Sequence, residues 1–114
     1  MQAMEAAKAL ATAIQESPEY REYARWKTEV DGDAGVRALL NEYKRLQTAL
    51  QMKMLYGQQL EGEEDQRFQS LSMLLFADQR TSGYLLAEMQ LQKLMGEIFE
   101  VLSQAADLEI LTPD

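Results

Sequence analysis

The chain contains neither cysteine nor histidine. Without cysteine there is no disulfide framework, thiol nucleophile or thiolate-held cluster. Without histidine, Ser–His and Cys–His catalytic pairs, the usual zinc ligand sets and the Glu-x-x-His motif of di-iron bundles are all excluded. Its six glycines are scattered, so no glycine-rich phosphate loop is present. No apolar run approaches the ~20 residues that a membrane helix requires. The N-terminus lacks the basic region and continuous apolar block of a secretory signal, and a cytoplasmic protein is expected. An excess of positive charge is missing too. The formal net charge is −8, distributed as −2 over residues 1–20, +2 over 21–53 and −8 over 54–114. An acidic chain repels a phosphate backbone, which disfavours direct nucleic-acid binding outside the middle third.

What remains is a helix-forming composition. The 114 residues are 46% apolar and 26% charged, a soluble globular balance consistent with one domain over 1–114. The common residues Leu, Ala, Glu and Gln favour helices. The broadest signal is the stretch Tyr84 to Leu102. Leu91, Leu94, Met95, Ile98, Phe99, Val101 and Leu102 share an arc roughly 160° wide, where a surface helix needs about 100°. That width predicts a helix touching two surfaces.

Taken in order, residues 1–16 predict an alanine-rich helix with Ala3, Ala7, Leu10 and Ile14 at helical spacing. Ser17-Pro18 ends it and starts the next, with Ser17 as N-cap and Pro18 at the first helical position. The second helix runs to about Glu29 and presents Tyr20, Tyr23, Trp26 and Val30. Asp31-Gly32-Asp33-Ala34-Gly35 then forms a break. Its aspartates faintly resemble a calcium loop, but Val36 stands where that loop needs glycine, and Gly35 supplies no ligand side chain. The break is therefore read as a turn in which Asp33 caps the third helix.

That helix, 34–56, aligns Val36, Leu39, Leu40, Tyr43, Leu46, Leu50 and Met54 within about 120°. Gly57 is its expected stop. A polar connection leads to a fourth helix, 63–80, whose acidic start (Glu63, Glu64, Asp65) suits the positive end of a helix dipole rather than a metal. Phe68, Leu71, Leu74 and Leu75 form its main face, with Met73 and Phe76 pointing elsewhere. Asp78 falls on the apolar side near the helix end, where Arg80, Arg37 or an amide is its expected partner. Thr81-Ser82-Gly83 is read as a turn before a fifth helix, 83–106. The tail from Leu108 is expected to fray. With no strand pattern, the expectation is an all-α antiparallel bundle or hairpin of about five helices.

No catalytic, cofactor-binding or metal-ligating residue is assigned. Glu88, at the border of the broad arc, is read as a dipole partner or interhelical ion pair. Met73 and Met89 fall off the main faces and suit an adaptable docking surface. A protein interface is expected at Phe68, Leu71, Phe76, Leu91, Leu94, Ile98, Phe99 and Leu102. The competing reading is RNA contact through the basic-aromatic segment 20–45, using Arg21, Arg25, Lys27 and Lys44.

The ordered set Leu10-Ala11, Ile14, Ser17-Pro18-Glu19-Tyr20, Tyr23, then Leu39-Leu40-Asn41-Glu42-Tyr43, Leu46-Gln47, Gln66, and finally Tyr84-Leu85-Leu86-Ala87-Glu88, Leu91, Leu94 resembles the YlbF/YmcA family of small helical bacterial regulators, closer to its YlbF branch. The resemblance covers nearly the whole chain. It implies a cytosolic, non-enzymatic helical protein that forms homodimers or hetero-oligomers with related subunits. It further implies association with a YaaT-like partner, connection to ribonuclease Y and messenger-RNA processing, and roles in competence, sporulation and biofilm development. Some complexes of the family carry iron–sulfur clusters. This chain has no cysteine to hold one.

Overall fold

The computed structural model describes residues 2–58 and 62–107. They form five helices and no strand: α1 (Gln2–Gln15), α2 (Pro18–Asp31), α3 (Ala34–Leu55), α4 (Glu63–Ala77) and α5 (Gln79–Ala106). The all-α expectation holds. The tail expected to fray lies outside the described residues. Two compact units divide the chain: Trp26–Tyr84, and Met1–Arg25 with Leu85–Asp114.

The Trp26–Tyr84 unit holds most of the core. Along α3, Leu40, Tyr43, Leu46 and Leu50 recur at three- and four-residue spacing and are buried, with Leu40 at 0% exposure. They face Leu71 and Leu75 of α4, and Val30 and Tyr84 complete the set. The α3–α4 pair is antiparallel, since Lys53 reaches Glu64 at 3.0 Å while Arg67 reaches back to Glu42. The second contact is a fork: Arg67 Nε donates to Glu42 Oε2 at 2.9 Å and Nη2 donates to Oε1 at 2.8 Å. Hydrogen bonding from Arg67 holds the Glu42 carboxyl below its ordinary value.

Helix ends follow local chemistry. Ser17 Oγ accepts the Tyr20 N–H at 3.2 Å, as an N-cap should. Asp33, in extended conformation, accepts the Gly35 and Val36 N–H groups at 3.0 and 3.2 Å and starts α3. Its sister Asp31 accepts from Lys27 at 2.7 Å and lies 3.5 Å from Arg37, so these aspartates face cations of their own chain. α3 stops at Gly57, whose φ of +70° suits glycine. The Gln58 N–H reaches the Lys53 carbonyl at 2.8 Å and the Gly57 N–H reaches Met54 at 3.1 Å, the paired bonds of a Schellman stop. Asp33→Ala should cost about 1 kcal/mol of stability through the lost cap. A shift in urea midpoint at unchanged slope checks this; an unchanged midpoint would refute the role of the cap.

The α4–α5 junction corrects the sequence reading. Thr81-Ser82-Gly83 is no turn: α4 ends at Ala77, the break is Asp78 alone, and α5 already runs from Gln79. Asp78 is extended (φ −94°, ψ 128°), and its Oδ1 accepts the Arg80 N–H at 2.8 Å while its carbonyl accepts Ser82 N–H at 2.9 Å. Asp78 therefore caps α5, and the Arg80 backbone hydrogen bond holds its carboxyl below the ordinary value. Arg80 also lies 3.6 Å from Asp33 and 3.5 Å from the Asp78 carboxylate, linking the caps of α3 and α5. Thr81, buried inside the first turn, donates its hydroxyl to the Leu75 carbonyl and satisfies an orphan acceptor at the end of α4. Gly83 is helical and lies against the Trp26 ring, where a Cβ would meet Cε2 at 2.5 Å. The glycine serves close approach, not a turn.

Candidate interaction surface

The unit formed by Met1–Arg25 and Leu85–Asp114 has little core of its own. No residue of α1 is fully buried; Leu10 and Ile14 are half-buried, and the other described α1 residues are exposed. Along α5, Leu85 and Ala87 are buried, but no residue from Glu88 to Ala106 is. The broad apolar arc read from the sequence is thus only partly covered. Leu91, Leu94, Met95 and Ile98 are half-buried, whereas Phe99, Val101 and Leu102 stand 47%, 65% and 51% exposed. Tyr23 of α2 and Glu88, Leu91, Gln92, Met95, Gly96 and Phe99 of α5 line a groove of about 410 Å³. Its α5 residues follow helical spacing, one stripe down a single side. A second, more polar recess of about 250 Å³ lies between Glu19 and Gln90, Lys93, Leu94 and Glu97.

The α4 candidates fare differently. Leu71 is 1% exposed and belongs to the core of the Trp26–Tyr84 unit. Phe68 stacks on Tyr43 with ring centroids 5.1 Å apart, and Phe76 meets the same ring edge-on at 6.4 Å. Phe76 is nonetheless exposed, together with its neighbours Met73 and Leu74. The same unit exposes Met52, Met54, Leu55 and Tyr56 at the end of α3. Of the eight sequence candidates, then, Phe76, Phe99 and Leu102 are exposed, Phe68, Leu91, Leu94 and Ile98 are half-buried, and Leu71 is internal. The candidate set did not contain Val101, Leu86 or Leu55. Val101 lies on the α5 arc and carried a signal; Leu55 and Leu86 carried none, because periodicity does not tell which side of a helix lacks a neighbour.

Glu88 is the tenth residue of α5, too far from its start for the dipole role, and it sits half-buried at the groove. Several cations of the RNA reading are engaged inside the chain. Arg25 pairs with Glu22 at 2.7 Å and Lys27 with Asp31 at 2.7 Å. Lys44 donates to the hydroxyl of buried Tyr84 at 2.8 Å. Among the described residues, no three His, Cys, Asp or Glu side chains gather as a metal site would require. None of the described helices is long and apolar enough to cross a membrane.

Residues 3–106 match the family model described as "Control of competence regulator ComK, YlbF/YmcA". The chain is 26% identical over 104 residues to a UPF0342 protein of Symbiobacterium thermophilum, covering 91% of this chain and 93% of that one. It is 27% identical over 100 residues to a UPF0342 protein of Caldicellulosiruptor saccharolyticus, covering 88% and 83% respectively. A solved "Protein of Unknown Function (DUF964)" from Bacillus stearothermophilus superposes with a TM-score of 0.71 over 98% of both chains at 16% identity, a likeness of fold.

Proposed function

We propose that this chain, which belongs to the YlbF/YmcA family associated with control of the competence regulator ComK, is a non-enzymatic regulatory adaptor. In this reading it self-associates or joins related subunits through α5 and the exposed side of α4. The assembly then modulates a partner such as an RNA-processing endoribonuclease, affecting competence, sporulation or biofilm development. A YaaT-like protein and a ribonuclease Y-like protein are the partners this reading names.

The observation that carries the proposal is the uncovered arc of α5. A helix with a broad apolar side is stable in water only when that side is covered. Yet from Glu88 onward nothing on α5 is fully buried, and α1 has no fully buried residue either. Large contiguous apolar exposure on a soluble protein marks an interaction site. Light scattering of the purified chain should give a mass that is a multiple of 13.0 kDa. A particle that stays at 13.0 kDa alone, and again when mixed with a related family subunit and a YaaT-like protein, would end the adaptor reading.

A further inference from the structure

The groove beside Tyr23 is apolar along its length and acidic at both ends. Leu91, Met95 and Phe99 supply its apolar surface. Gly96 leaves the α5 backbone bare there, since a Cβ at that position meets nothing within 4 Å. Among the described residues, Glu88 is the one charged side chain in the lining, and it stands at the end nearer the start of α5. Exposed Glu100 follows Phe99 at the other end. About 18 Å of helix separates the two acids, a little over three turns. The surroundings carry the same sign. The described part of the Met1–Arg25 and Leu85–Asp114 unit holds eight acidic and four basic side chains. Two of those bases are placed elsewhere: Arg25 pairs with Glu22, and Lys93 lines the polar recess with Glu19 and Glu97.

We propose that this groove docks an amphipathic helix of a partner protein, whose apolar stripe fills the groove and whose Lys or Arg residues at both ends of that stripe meet Glu88 and Glu100. The reading rests on the adaptor proposal and deepens it, because it names the chemistry of the partner that α5 holds. A helix fits for two reasons. Its backbone satisfies its own hydrogen bonds, whereas an extended peptide needs a sheet edge, and the described residues form no strand. The bare backbone at Gly96 also admits the close approach of a second helix. Charge then selects among helices. A second copy laying its own α5 along the groove would set acid against acid at both ends. Parallel, Glu88 meets Glu88 and Glu100 meets Glu100; antiparallel, Glu88 meets Glu100 twice. Self-association has another side to use. Leu94 and Val101 lie about 150° around α5 from Phe99, so a subunit seated there leaves the groove open.

The test is fluorescence anisotropy with the full chain and a labelled designed helix of about 18 residues, with leucine at three- and four-residue spacing and lysine elsewhere. Two counterpart probes carry glutamate in place of lysine, or the lysine composition in scrambled order. The lysine helix should bind at least about tenfold more tightly than either counterpart, and its affinity should fall as salt rises from about 0.05 M to about 0.3 M. Gly96→Gln sets a polar side chain on the open backbone without a clash in its own chain. It should weaken binding at least about tenfold with unchanged circular dichroism. Glu88→Gln/Glu100→Gln should weaken it by about fivefold or more and flatten the salt dependence. Met73→Gln, on the open side of α4, should change nothing. The proposal is overturned if the three probes bind alike, if none binds, or if Met73→Gln and not Gly96→Gln weakens binding. It is overturned equally if Gly96→Gln lowers the light-scattering mass of the chain alone, which would put a second copy in the groove. The adaptor reading is decided separately. A chain that associates with its subunits yet binds no probe keeps that reading and loses this one. Probe binding by a chain that stays at 13.0 kDa in every mixture removes the adaptor reading and keeps the helix site.

Discussion

Gly83→Ala is expected to destabilise the protein by about 2 kcal/mol, although alanine is the better helix former by about 0.5–1 kcal/mol. The new Cβ would stand 2.5 Å from Cε2 of Trp26 and 2.8 Å from Cδ2 and Cζ2. These are atoms of a rigid ring, not the end of a flexible side chain, so ring or helix must move. Overpacking of this kind costs about 1–3 kcal/mol, which exceeds the propensity gain. Gly96 in the same helix supplies the control. A Cβ there meets nothing within 4 Å, so Gly96→Ala should stabilise by about 0.5–1 kcal/mol. Urea denaturation of the two variants gives opposite shifts in midpoint. Trp26 is the single tryptophan, so its emission should change in Gly83→Ala and not in Gly96→Ala. A stabilising shift in Gly83→Ala, matching that of Gly96→Ala, would mean that the close approach of Trp26 does not exist.

The two glycines show where sequence reading stops. Each is a lone glycine among helix formers, and their opposite roles depend on a ring more than fifty residues away in the chain. Thr81-Ser82-Gly83 has turn composition, which drew the expected boundary there. The real boundary needs only Asp78, an extended residue that accepts the Arg80 N–H. Where start and stop signals are local they were legible: Ser17 and Asp33 cap as expected, and Gly57 closes α3. Face periodicity was legible in part: Leu40, Tyr43, Leu46 and Leu50 are the buried row, while Met54 and Leu74, expected on the apolar faces of α3 and α4, are exposed because those rows run past the stretch that a neighbouring helix covers. What periodicity lacks is the identity of the surface that covers a face. Phe68 and Leu71 were grouped with Phe99 and Leu102 because all lie on apolar stripes. The structure sets them apart: Leu71 is internal and Phe68 stacks on Tyr43, while Phe99 and Leu102 are open.

The same distinction governs the largest effect expected on assembly, Ile98→Asp. Ile98 lies at the middle of the α5 arc between Leu94 and Leu102 and is half-buried, so its own chain covers it only in part. If an associated subunit covers the rest, substitution removes apolar burial worth about 1.5–3 kcal/mol for a full side chain. It also places a carboxylate where water is excluded, a further penalty unless the carboxylate finds a partner. Each 1.4 kcal/mol is tenfold in affinity, so association should weaken by at least about a hundredfold. Light scattering should then report 13.0 kDa, while Ile98→Leu, which conserves volume and apolarity, keeps the wild-type mass. The helical signal separates interface from core. The buried row of α3 and α4 does not include Ile98, so the Trp26–Tyr84 unit should retain its helicity in the aspartate variant. A folded Ile98→Asp chain of unchanged mass removes Ile98 from the interface. General unfolding instead would make Ile98 a residue of its own chain's core, and the adaptor surface would then have to rest on Phe99, Val101 and Leu102.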